Sequence, residues 1–286
     1  AGVLNLVHGG GEVVDRLLDH PEVRAVSFVG SAPVARHVYA RAAAAGKRVQ
    51  ALAGAKNHLL ILPDAADWDL ALQAVMGAAF GAAGQRCLAG SVALPVGSAA
   101  GPFLARLVRA AEAVRVGDPF DEASGMGPVI RQESKDRILA VVDKGLAEGA
   151  KLLTGGRGSH VPGGGFFVAP TILDEVGPET SAAREEIFGP VLSVVRVATV
   201  EEAIALVNRS RYGNAASIFT RSGRDAWLFR TRVEAGMVGI NVGVAAPMAF
   251  FPFAGWKGSF FGDLHATGKD AVRFYTETRV VVERWE

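Results

Sequence analysis

The sequence predicts an α/β fold: the second half of a doubly wound domain leading into a larger α/β unit. Three observations predict it. Apolar runs of strand length alternate with helical stretches from the start of the chain. A glycine separates a strand from a helix in Ser27-Phe28-Val29-Gly30-Ser31-Ala32-Pro33. The last residues, 274–285, are β-branched and aromatic, which reads as a strand in need of a sheet to join.

In the first fifty residues, strands are expected at 3–7, 23–29 and 48–52, with helices over 13–18 and 34–45. Three strands are few for a doubly wound sheet, and the first residue is not methionine. We therefore read this stretch as the second half of a nucleotide-binding domain whose first half is absent. Beyond it, strands are expected at 59–62, 92–96, 151–154, 166–169 and 216–220. Helices are expected over 67–80, 103–114, 134–148, 201–208 and 223–234. The glycines of 155–165 lie between two strands and mark a surface loop.

Composition narrows the function classes. The 286 residues are 50% hydrophobic and 21% charged, which suits a globular chain with an ample core. Lysine and arginine number 30 against 29 acidic residues and are scattered, so no nucleic-acid or membrane partner is implied. No apolar run approaches the roughly 20 residues of a spanning helix. With a single cysteine, an intrachain disulfide is impossible and a reducing, cytoplasmic location is expected. The six histidines show no ligand spacing, so no metal is expected.

Three segments could carry chemistry. Cys87 follows a helix of small residues that breaks at Gly84. A lone cysteine is more often a buried small hydrophobe, but glycines let backbone approach a ligand, and neighbouring Arg86 could hold a thiolate or an anionic substrate. The Gly30-Ser31 turn is where an α/β sheet offers N–H groups to a cofactor, though many such turns bind nothing. Glu185-Glu186-Ile187-Phe188-Gly189-Pro190 places an acid near an aromatic. It is either a solvated face or a pair that holds ribose hydroxyls and stacks on a flat ring.

Together, Phe28-Val29-Gly30-Ser31, Gly84-Gln85-Arg86-Cys87 and Glu186-Ile187-Phe188-Gly189-Pro190 resemble the cofactor turn, nucleophile motif and nicotinamide-ribose motif of the aldehyde dehydrogenase superfamily. The likeness covers essentially the whole chain. It is closest to the CoA-acylating methylmalonate-semialdehyde dehydrogenases, through Leu4-Asn5-Leu6-Val7-His8-Gly9, Arg48-Val49-Gln50-Ala51-Leu52-Ala53-Gly54-Ala55-Lys56-Asn57-His58 and the run from Gly77 to Cys87.

The resemblance implies an aldehyde dehydrogenase-like fold. Residues 1–54 would be the C-terminal part of an NAD-binding domain, 55–255 the catalytic domain, and 256–286 a return segment with an oligomerisation strand. It implies Cys87 as nucleophile, Gly30, Ser31, Ala53, Glu186 and Phe188 at NAD, and Arg86 and Phe253 at the substrate. The partners would be a small aldehyde such as methylmalonate or malonate semialdehyde, coenzyme A as co-substrate, and copies of the chain in a homo-oligomer such as a homotetramer.

Water-using members carry a glutamate two residues before a Gly-x-Lys run, and Leu52 stands at that position here. Leucine takes no proton. A thiol acceptor has less need of a base, so Leu52 points to CoA. Two alternatives stay open. One is a hydrolytic NAD(P)-dependent enzyme with another base, for which Asp263 is a candidate. The other is an inactive fragment that lacks half of the cofactor domain.

Overall fold

Apolar residues at strand and helix spacing build the first elements. The computed structural model describes residues 2–286. It divides into two units, Ala55–Ala246 and the pair of segments that flank it, up to Gly54 and Pro247–Glu286.

The flanking unit opens with α1 (Gly11–Asp19), β1 (Ala25–Val29), α2 (Ala32–Ala44) and β2 (Arg48–Leu52). Pro33 lies in the first turn of α2, where its missing N–H costs nothing. The helix ends because Gly46 takes a left-handed φ of 70°, which lets it donate to Ala43 O while Lys47 N donates to Ala42 O. β1 and β2 pair in parallel, Ala25 opposite Arg48 through Val29 opposite Leu52. Leu18, Ala35, Val38, Ala42, Val49 and Ala51 form a small core between strands and helices.

The larger unit contains β3 (Asn57–Ile61), α3 (Asp69–Phe80), β4 (Gly90–Pro95), α4 (Ala100–Glu112), α5 (Gln132–Ala147), β5 (Lys151–Thr154) and β6 (Thr171–Asp174). It continues with α6 (Ser181–Arg184), β7 (Val191–Val194), α7 (Val200–Arg209), β8 (Tyr212–Gly213), β9 (Ala215–Phe219), α8 (Gly223–Arg232) and β10 (Met237–Ile240). Seven strands form one sheet in the order β10-β9-β3-β4-β7-β6-β5. All neighbours are parallel except β5 against β6. Every residue of β3 and β9 is buried, as expected for inner strands covered on both faces. The helices seal a core that includes Leu60, Ile61, Phe103, Leu107, Ile138, Ile172, Phe219 and Phe229.

The starts of β9, β3, β4 and β7, four adjacent strands, lie along one edge of the sheet. The residues leading into them are Asn214, Lys56, Cys87 to Ala89, and Glu186 to Pro190.

The flanking unit closes with β11 (Trp256–Lys257), β12 (Phe260–Gly262) and α9 (Gly268–Tyr275). β12 pairs antiparallel to β2, with Phe260 opposite Leu52.

Three elements differ from the sequence expectation. Residues 3–7 form no strand: the third strand beside β1 and β2 is β12, and Val3, Leu4, Leu6 and Val7 are exposed. Residues 166–169 are irregular, and the strand starts only at Thr171, past Pro170, whose nitrogen has no hydrogen to give a ladder. The expected strand at 274–285 begins instead as helix. Phe274 is buried as part of α9, and residues 276–286 form no strand and leave Val280, Val281, Val282 and Trp285 exposed. Among the described residues no helix is long and apolar enough to cross a membrane.

Candidate active site

The loop that presents Cys87 begins where α3 stops. Gly81–Gly84 is a tight turn containing two alanines in left-handed backbone, Ala82 (φ 52°, ψ 37°) and Ala83 (φ 51°, ψ 35°), followed by Gly84 at φ 67°. Each left-handed L-residue costs about 1–2 kcal/mol. Such strain gathers where the surrounding structure over-determines the backbone. Part of that determination is visible at Gly84, where a Cβ would collide with the carbonyl of Gly189 and the nitrogen of Pro190. The loops before β4 and β7 therefore touch backbone to backbone.

Gly84→Ala is expected to lower the unfolding free energy by about 2–4 kcal/mol, through overpacking and a disfavoured φ. Ala83→Gly relieves a left-handed alanine and is expected to raise it by about 1 kcal/mol. Urea denaturation reads both signs, and a neutral Gly84→Ala would show that the two loops can part freely.

Arg86 turns back on α3. Its guanidinium donates to the carbonyl of Gly77, in the last turn of the helix, where a cation meets the negative end of the backbone dipoles. Its Nε is buried without a hydrogen-bond partner. The side chain thus also ties the Cys87 loop to the last turn of α3, whose Gly77 carbonyl accepts from Gly81 N as well. Nη1 makes no hydrogen bond among the described residues.

Cys87 is exposed, and its carbonyl is held from behind. Asn57 Nδ2 donates to Cys87 O at 2.9 Å and to Ala89 O at 2.9 Å, and Asn214 Nδ2 donates to Cys87 O at 2.8 Å. Partial burial pushes the thiol up from its ordinary value, and Glu186 adds to this. The backbone N–H groups of Cys87 and Leu88 and the charge of Arg86 act the other way.

Glu186 and Phe188 stand on the adjacent loop. Glu186 Oε1 accepts from Ala55 N at 3.0 Å, and no hydrogen bond engages Oε2 among the described residues. Burial pushes this carboxyl up, while the Ala55 N–H and the charges of Lys56, Arg137 and Arg211 pull it down. Phe188 takes a left-handed φ of 54° and is 38% exposed, and the loop is fastened by Arg137 Nη1 donating to Ile187 O at 2.6 Å. Ala55, Asn57, Gly84, Arg86, Cys87 and Glu186 to Gly189 line one hollow. A carboxylate oxygen left open beside an exposed ring fits the ribose hydroxyls and flat ring of a nicotinamide cofactor.

Four other expected site residues belong to the flanking unit. Gly30 N donates to Leu52 O at 3.1 Å, and the Ser31 hydroxyl, at the start of α2, does not cap the helix. Ala53 N donates to Ser259 O at 2.8 Å, and Ser259 Oγ donates to Gly54 O at 2.7 Å. Phe253 is half-buried, with its N–H on Ala266 O at 2.7 Å. Asp263 is exposed.

Three residues of the larger unit escaped the sequence reading. Asn57 and Lys56 lie in a phrase that carried the family likeness, but no role was assigned to either. Asn214 gave no signal. Lys56 is 3% exposed, and its ammonium has no hydrogen-bond partner.

The aldehyde dehydrogenase family pattern matches residues 1–281. A malonate-semialdehyde dehydrogenase of Oceanobacillus iheyensis is 54% identical over 286 residues, covering 99% of this chain and 58% of the relative. A solved structure from Sinorhizobium meliloti, described as a methylmalonate-semialdehyde dehydrogenase complexed with NAD, superposes with a TM-score of 0.97 at 46% identity, covering 100% of this chain and 59% of that one. The methylmalonate-semialdehyde dehydrogenase of Oceanimonas doudoroffii gives a TM-score of 0.94 at 47% identity, covering 97% and 57%. The chain thus spans under three-fifths of the length of these relatives.

Proposed function

Because the chain belongs to the aldehyde dehydrogenase family, we propose that it is the nucleophile-bearing part of an NAD-dependent, CoA-acylating semialdehyde dehydrogenase. Malonate or methylmalonate semialdehyde would be its substrate. The observation that carries the reading is the exposed Cys87, which lines one hollow with Glu186 and Phe188.

The Cys87 thiolate adds to the aldehyde carbon, and the Cys87 N–H would donate to the oxyanion that forms. The tetrahedral adduct collapses to a thioester on Cys87 as its carbon loses hydride. When bound, NAD supplies the hydride acceptor. Glu186, through its open oxygen, and Phe188 would hold the nicotinamide ribose, and Gly30, Ser31 and Ala53 would be further contacts of NAD. Arg86 Nη1 and Phe253 hold the substrate, the first through its carboxylate.

The acceptor then attacks the thioester carbonyl, and Cys87 leaves as thiolate. Leu52, standing where water-using relatives place a base, supports a thiol acceptor over water. Loss of CO₂ from the β-carboxylate would follow. The exposed apolar tail that includes Val280, Val281, Val282 and Trp285 supports assembly into a homo-oligomer.

The test is NADH formation from malonate semialdehyde by the protein that carries this chain, with and without CoA. Turnover is expected to depend on CoA and to yield an acyl-CoA. Equal turnover without CoA would sink the acylating reading and return attention to a hydrolytic base.

A further inference from the structure

We infer that Asn57 and Asn214 are positioning residues for the nucleophile: their carboxamides clamp the Cys87 carbonyl and thereby aim the Leu88 N–H at the Cys87 sulfur. The inference deepens the reading of Cys87 as nucleophile and rests on it.

Cys87 O and Leu88 N–H belong to one planar trans peptide, so the two groups point in opposite directions. Two Nδ2 groups fix the oxygen from one side, at 2.9 Å from Asn57 and 2.8 Å from Asn214. The N–H on the other side then has a set direction, and it is one of the two backbone groups that draw the Cys87 thiol down. Donation into the carbonyl also polarises the peptide and strengthens its N–H as a donor.

The clamp is itself held. Asn57 Oδ1 accepts from Ala215 N at 3.0 Å and from Asn214 Nδ2 at 3.4 Å, which leaves Nδ2 as the group that faces Cys87 O and Ala89 O. Asn57 and Asn214 are 4% and 5% exposed, so water does not compete for these bonds. They stand at the starts of β3 and β9, neighbours in the sheet, and Cys87 precedes the start of β4 on the other side of β3. The sheet thus sets the direction of one donor at the nucleophile. A fold that needed only to fill this space could use two apolar side chains, at no cost in unpaired carboxamides.

The charged groups that act on the sulfur are Glu186 and Arg86, and among the described residues neither hydrogen-bonds to Asn57 or Asn214. Loss of one Asn donor should therefore change the thiol through the Leu88 N–H alone.

The experiment is the pH dependence of Cys87 alkylation by iodoacetamide, followed on the Cys87 peptide by mass spectrometry. It needs neither aldehyde nor CoA. Asn214→Leu and Asn57→Ala are each expected to raise the midpoint by about half to one pH unit, as the thiolate loses a well-aimed donor. They should lower kcat more than they alter KM for the aldehyde. Asn214→Gln keeps a carboxamide and should recover part of the shift, and it stands in should Asn214→Leu fold poorly.

An unchanged midpoint in a folded variant overturns the clamp and leaves the functional reading intact. A shifted midpoint in a protein that oxidises no aldehyde does the reverse.

Discussion

Cys87→Ala is expected to abolish NADH formation from malonate semialdehyde, with a loss of at least about 10³-fold in kcat. The chain has no second cysteine to take over. Ser91 also lines the hollow, but an alkoxide is far harder to form near neutral pH than a thiolate, so Cys87→Ser should fail almost as completely. Cofactor affinity should survive both changes, because Glu186 and Phe188 stand on a separate loop fastened by Arg137 and Ala55. Stopped-flow turnover paired with NADH fluorescence titration separates the two quantities. Residual turnover within tenfold of the unmodified protein would mean that the attacking group lies elsewhere.

The parts of this site that could be read in the sequence are those that announce themselves locally. Cys87 is flagged by the glycines before it, and Glu186 with Phe188 by an acid set near an aromatic. The first βαβ unit was legible for the same reason, since its apolar spacing changes from strand to helix and back within short windows.

What escaped depends on distance. Asn57 and Asn214 are 157 residues apart and meet only because β3 and β9 are neighbours in the sheet. β6 and β7, four buried residues each, are too short to show a period. Arg86 reads as a substrate contact from its place beside Cys87, and its further bond to the Gly77 carbonyl, nine residues back in the last turn of α3, has no local signal.

Lys56 is the residue whose burial the sequence concealed most fully, since lysines are seldom buried without a partner. Removing its charge is expected to stabilise the fold. Burial pushes its ammonium down to about 7 from an ordinary 10.5, with Glu186 and Glu185 pulling it up. Below about pH 7 folded and unfolded chains both hold the proton, and the desolvation cost is fully present. Between about 7 and 10.5 the unfolded chain binds a proton that the folded chain has released, so this group's contribution to stability rises with pH. Above 10.5 neither state is charged, and the cost is gone.

Lys56→Met, close in shape and uncharged, should therefore raise the unfolding free energy by roughly 4 kcal/mol at pH 7 and by only about 2 kcal/mol at pH 9. The same change removes a cation that holds the Glu186 carboxyl down, so the variant should grip cofactor less well on the acid side of neutrality. Urea denaturation of both proteins at the two pH values measures the gap directly. A gap that stays flat would mean that Lys56 keeps its proton in the fold, and the ammonium would then need a hydrogen-bonding partner that its buried position does not offer.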